Sequence, residues 1–254
     1  MFLNPFTIEI FLRNLGMKNS STMFNHLQKV MAFSALAFFS HASTANLVQN
    51  GEFNASAAGQ LNSSSYSAGV TVPDWTNNGG YTFVLDAASA ASGVANNFGN
   101  TTALHGSING ASGYFIAADG DPTYSRSIQQ EITGLTVGQN YILSFDWAAG
   151  QQLGYGGDST SQWNVSLGNS AFTTPTVTNP SESFTGWFNQ SFEYTATSST
   201  ATLSFLAAGA PSGVPPFALL DNVSVSAVPV PMAFPLLLSG LVGLGFMRKK
   251  NKAA

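Results

Sequence analysis

The chain has 254 residues, with 12 acidic and 8 basic side chains, a formal net charge of −4 and no cysteine. Without cysteine there is no disulfide framework, no thiol nucleophile and no Cys-ligated zinc. The cations are concentrated at the two ends: residues 46–227 hold eleven Asp and Glu against Arg126 alone, a formal charge of −10. Such a surface excludes nucleic acid as a partner and attracts divalent cations.

The first 45 residues have the pattern of a targeting segment. From Met17 a polar stretch with Lys18, His26 and Lys29 leads into an apolar core from Val30 to Phe39. Ser40 to Ala45 follows, with Ser43 and Ala45 as small residues at the minus-three and minus-one positions. This predicts a secretory signal peptide over residues 1–45, cut after Ala45. Met17 or Met23 would open a signal of ordinary length, which makes residues 1–16 an upstream extension. Residues 46–227 are enough for one domain with a core of its own.

Asn46 to Asn54 opens that domain as a short strand, and the Ser/Ala/Gly-rich stretch to Gly69 is a connection. Pro73-Asp74-Trp75 and Asn77-Asn78-Gly79-Gly80 mark a turn into a strand over 81–85, with a long loop over 87–100. Strands are predicted at 113–117 and 127–132, separated by the acidic turn Asp119-Gly120-Asp121-Pro122. Tyr141, Leu143, Phe145 and Trp147 then alternate on one face, and a Gly/Gln/Ser loop spans 148–161. Trp163, Val165 and Leu167 alternate with Asn164 and Ser166, and Phe188, Phe192 and Tyr194 share a face. Strands at 202–207 and 217–225 complete the set. Short strands at this spacing, with no helical period, predict an all-β fold, an antiparallel jelly-roll β-sandwich.

The end of the chain reads in three parts. Val228-Pro229-Val230-Pro231 comes first, then an apolar run from Met232 to Met247, then the basic cluster Arg248-Lys249-Lys250-Asn251-Lys252. The run would make roughly 24 Å of helix, short for a hydrocarbon core of about 30 Å, and the basic cluster would keep its end in the cytoplasm. In this order the three features resemble the PEP-CTERM tail of exosortase substrates, in a variant with Val230 where the commonest form has Glu. The resemblance implies that residues 228–254 are a sorting tail with a transmembrane helix. It further implies transient inner-membrane anchoring, an exosortase-type processing enzyme as partner, and a final place at the cell surface or in the extracellular matrix.

A second resemblance spans the domain. Asn46-Leu-Val-Gln-Asn-Gly-Glu-Phe53, Gly134-Leu-Thr-Val-Gly-Gln-Asn-Tyr-Ile-Leu-Ser-Phe145 and Leu220-Asp-Asn-Val-Ser-Val225 together resemble the galactose-binding-like jelly roll of several carbohydrate-binding modules. Those modules often hold calcium between oxygens of the first and last strands. Here that implies a structural calcium ion with Glu52 and Asp221 as ligands. Alternation places Asp221 on a face with Leu219, Val223 and Val225, pointing it inward, where an unpaired carboxylate is costly. Either a cation or hydrogen bonds must satisfy it; the alternative is that Asp221 and Asn222 cap backbone groups at a sheet edge.

No catalytic set is complete, so no enzyme is expected. Gly157-Asp158-Ser159 lacks the strand-to-helix turn that exposes a nucleophile, His105 stands alone, and Asp119 and Asp121 fit a turn. Trp75, Tyr155 and Trp163 are the candidate sugar-stacking residues, with core burial the competing role for the two tryptophans. The expected function is structural or adhesive, in or near exopolysaccharide. The alternative is a lectin-like carbohydrate-binding module with a defined glycan.

Overall fold

The structure is a computed structural model that describes residues 45–61, 70–91, 97–98, 101–102, 104–106 and 108–229. The expected signal peptide up to residue 44 and the tail from Val230 onward lie outside the described residues. Among the described residues no helix is long and apolar enough to cross a membrane.

Among the described residues the regular elements are strands, apart from one short helix, α1 (Ala87–Ala91). They are β1 (Gly59–Gln60), β2 (Thr76–Asn77), β3 (Thr82–Asp86), β4 (Asn97–Phe98), β5 (Thr101–Thr102), β6 (Tyr114–Asp119) and β7 (Ile128–Thr133). They continue with β8 (Asn140–Gln151), β9 (Ser159–Leu167), β10 (Ser170–Thr173), β11 (Val177–Asn179), β12 (Phe188–Thr195), β13 (Thr200–Ala210) and β14 (Pro216–Ala227). One sheet runs β1-β3-β6-β14-β8-β12; the other runs β10-β9-β13-β7-β2, with β11 also on β9. All of these pairings are antiparallel. From β6 onward the chain passes repeatedly between the sheets, so neighbours in a sheet are distant in sequence.

The main core fills the space between the sheets. Leu143, Phe145, Trp147, Leu220 and Val225 of the first sheet meet Ile132, Trp163, Val165, Leu203 and Phe205 of the second. Phe205 lies edge-on to both Phe145 (5.0 Å, 88°) and Trp163 (5.9 Å, 86°). Such pairs add about 0.5–1.5 kcal/mol to the area they bury.

A smaller core lies on the other face of the first sheet. Phe83, Leu85, Phe115, Ala117, Ala148, Phe217 and Leu219 pack there against Ala87, Ala90, Leu104 and Ile108. Covering both faces explains why β3, most of β6 and the first half of β14 are buried at successive residues instead of alternating.

Several elements differ from expectation. Residues 46–54 do not form a strand, because Asn50 and Phe53 take left-handed φ of 49° and 52°. They still line the edge of β14: Leu47 N–H donates to Val225 O (2.8 Å) and Val223 N–H to Gly51 O (2.9 Å). Between those bonds the Asn46 side chain donates to Val223 O and accepts from Val225 N–H, replacing backbone partners. The expected loop at 87–100 contains α1 and part of the β4–β5 pair. The loop expected at 148–161 shrinks to 152–158, since β8 extends to Gln151 and β9 starts at Ser159. The short strands β1, β2, β10 and β11 are additional.

Candidate functional site

The two ends of the domain meet at a break in β14. Asp221 pairs with Asp146 of β8, and Ser224 with Ser144, so three steps on one strand match two on the other. Asn222, with φ 52°, absorbs the extra residue. Alternation resets across this bulge. Leu219 and Asp221 face the smaller outer core, whereas Val223 and Val225 face the main one. The expected common face of Leu219, Asp221, Val223 and Val225 is therefore corrected. Asp221 is buried, 1% exposed, but on the covered outer side of the sheet and not between the sheets.

Its surroundings are acidic. Asp221 Oδ1 accepts from Asn222 N–H at 2.8 Å, while Oδ2 is buried without a hydrogen-bond partner. Burial, and then the Asp146 and Glu52 charges, push the Asp221 carboxyl up to about 7, against the lowering pull of the Asn222 and Ser112 backbones. Asp146 is better satisfied, accepting Nδ2 donors from Asn189 and Asn222, each at 2.9 Å. Alongside lies a groove of about 420 Å³ lined by Asn46, Asn50, Glu52, Asn54, Asn222 and Ser224. Gly51 closes it: a Cβ there would fall 2.0 Å from Val223 O. Among the described residues no group of three or more Asp, Glu or His side chains is placed to hold a metal. A cation at this junction would combine Glu52 and Asp221 with amide and backbone oxygens.

Of the three candidate stacking residues, the structure leaves one open. Trp163 is fully buried and its Nε1 donates to Leu219 O at 3.0 Å. Trp75 is 8% exposed, donates from Nε1 to Asn50 O at 2.9 Å and packs 4.9 Å from Phe53. Both are corrected to core, since a ring covered by protein has no face for a sugar. For Trp163 the cause is its phase with Val165 and Leu167 on the inner side of β9. Tyr155 is 44% exposed in the 152–158 loop, with its carbonyl 2.9 Å from His105 Nε2.

The remaining chemical candidates make turns. Asp158 Oδ1 accepts from Ser181 N–H, and Ser159 is a buried first residue of β9. Asp119 Oδ1 accepts from Asp121 N–H, and Asp121 Oδ1 from Thr123 N–H, each at 2.8 Å. Burial pushes the Asp119 carboxyl up to about 6, whereas the Thr123 backbone bond holds Asp121 below its usual range.

A larger groove lies elsewhere, on the outer face of the second sheet. It measures about 580 Å³, and its floor combines Asn164 and Ser166 of β9 with Ser204 and Leu206 of β13. Ser204 faces Ser166, and Leu206 faces Asn164, across that strand pair. One wall is Asn78 with Arg126 and Ser127, where Asn78 Nδ2 donates to Ser127 Oγ at 2.8 Å; the other is Phe172 and Thr173 of β10. Leu206 is 38% exposed, an apolar patch in a polar floor. Sequence reasoning used the inward half of this alternation for the core and passed over the outward half. The signal was the run of amide and hydroxyl side chains without charge at Asn164, Ser166 and Ser204.

A family model described as a protein of unknown function, DUF642, matches residues 121–226. Among solved structures the chain is similar to TmCBM61 in complex with β-1,4-galactotriose, at 14% identity over 73% of this chain and 100% of that one, TM-score 0.39. It is similar to the carbohydrate-binding module CBM4, at 19% identity over 71% and 99% of the two chains, TM-score 0.34. A third is the CBM22-2 xylan-binding domain of Paenibacillus barcinonensis Xyn10C, at 12% identity over 62% and 94%, TM-score 0.36. No curated protein matches the chain.

Proposed function

We propose that the chain is a secreted, non-catalytic glycan-binding β-sandwich that uses the outer face of its second sheet. The observation that supports this is the open groove of about 580 Å³ whose lining sets amides and hydroxyls beside the apolar Leu206 and Phe172. A sugar presents hydroxyl groups around its rim and C–H bonds on its face. Asn164 offers a donor pair and an acceptor, Asn78 an acceptor and the N–H it does not give to Ser127 Oγ, and Ser127, Ser166 and Ser204 each a hydroxyl. Leu206 provides the apolar contact. Asn164→Ala with Ser204→Ala is expected to weaken glycan binding about tenfold or more, at roughly 1 kcal/mol per lost hydrogen bond. A glycan array followed by calorimetry on the full chain measures it. Unchanged affinity, with an unchanged melting temperature, would remove the groove from the reading.

The groove at the bulge supports a separate, structural role for calcium, with Glu52 and Asp221 as the ligands. Here the supporting observation is the buried Oδ2 of Asp221, which has no hydrogen-bond partner and feels the charges of Asp146 and Glu52. A divalent ion would neutralise that charge and tie the start of the domain to its last strand, which is stabilisation by binding to the native state alone. Calcium at a hundred times its dissociation constant would raise the melting temperature by about 5–10 °C. A melt identical in calcium and in chelator would eliminate the site.

The tail bearing Val228, Pro229, Val230 and Pro231 is proposed as an exosortase sorting signal, on the strength of the PEP-CTERM resemblance. Recovery of the basic cluster 248–252 on the mature surface protein would overturn it.

A further inference from the structure

Arg126 is the single permanent cation between residues 46 and 227, where eleven carboxylates offer it partners. Among the described residues it pairs with none of them, and its guanidinium makes one hydrogen bond, from Nη1 to Ser125 O at 2.5 Å. A guanidinium has five donors in a planar fork, so most of that fork remains for a ligand. Its stem is seated closely on the backbone of Gly80. A Cβ at that glycine would lie 2.9 Å from Arg126 Cγ and 2.2 Å from Tyr124 O. The groove it borders contains no Asp or Glu. Glu131, two residues beyond Gln129 on β7, shares the face but stands outside the lining.

We propose that this groove takes a sparsely carboxylated polysaccharide, with neutral sugars along its amide- and hydroxyl-lined floor and one uronate carboxylate on Arg126. The inference rests on reading the groove as the glycan site. Charge sets the density of carboxylates. One fork matches one carboxylate in bidentate geometry. Each further carboxylate brought within a Debye length, about 10 Å, meets a domain of formal charge −10 with no second cation to receive it. A polyuronate is thereby disfavoured by repulsion, and a neutral glycan forgoes the one charge-assisted contact on offer.

The test is calorimetry of the full chain against a panel of linear polysaccharides with one uronate per repeat, gellan among them. Each is paired with its carboxyl-reduced form, and oligogalacturonate serves as the fully charged probe. The expected result is at least one native polymer bound about tenfold tighter than its reduced form and than oligogalacturonate. Arg126→Gln should bring that affinity down to the level of the reduced polymer without changing the melting temperature. Equal binding of native and reduced polymers would overturn the carboxylate while leaving a neutral-glycan groove in place. Tightest binding to oligogalacturonate would overturn the sparse spacing, and a preference that survives Arg126→Gln would overturn the residue. Failure of every polymer, native and reduced, would overturn the glycan reading itself.

Discussion

Asp119 shows how a turn residue acquires a pH dependence. Its carboxyl is pushed up to about 6 by burial, partly offset by the bond from Asp121 N–H, with the Asp121 charge adding to the rise. An aspartate in the unfolded chain titrates near 3.9. Between those values the folded state binds more protons than the unfolded one, so this group's stabilising contribution is complete below about pH 4 and is lost as pH rises through about 6. Asp119→Asn keeps an acceptor for Asp121 N–H and removes the proton. Denaturation followed from pH 4 to pH 7 should show a flatter dependence in the variant, and an unaltered slope would contradict the argument. Gly51 is a second residue whose role is steric. Because its Cβ position coincides with Val223 O, Gly51→Ala should break the bond between Val223 N–H and Gly51 O. The expected loss is about 1–3 kcal/mol, measurable by chemical denaturation.

At the scale of elements, β9 and β14 illustrate alternation read correctly and alternation reset. β9 keeps strict period two through nine residues, so the inward place of Trp163 and the outward place of Asn164 follow from position alone. Trp163→Phe should cost about 1–3 kcal/mol, because Leu219 O loses the buried donor Trp163 Nε1. Phe205→Ala, which removes the ring shared by Phe145 and Trp163, should cost about 3–5 kcal/mol. Equilibrium urea unfolding ranks the two, and a smaller loss for Phe205 would contradict the packing. In β14 the alternation argument fails at one residue. Asn222 is a residue type that tolerates left-handed φ, but that it takes it here, inside a strand, appears only when β14 is laid against β8.

For the whole molecule, the domain is closed by bonds between residues far apart in sequence. Leu47 binds Val225, and Val228 N–H donates to Asn140 O while its carbonyl accepts from Gln139 Nε2. Val228 is thus tied into the fold, and removal of everything beyond Pro229 should leave the melting temperature of the domain unchanged. A drop of several degrees in the truncated chain would show that residues from 230 onward contribute to it. Much of this molecule was legible in its sequence. Period-two runs at 141–147 and 163–167 determined the strands and their inward faces, since burial of a sheet face imposes that period. One cation against eleven carboxylates between residues 46 and 227 weighs against a polyanionic partner such as nucleic acid. Tertiary structure alone decided which polar residues meet. The outer face of the sheet that carries Asp221 is covered by Ala87, Ala90, Leu104 and Ile108, a cover no local pattern encodes. Asn78, Arg126, Asn164 and Ser204 share one groove because strand order places β13 between β9 and β7. Strand order depends on pairings across dozens of residues, whereas periodicity reports only which side of its own strand a residue takes.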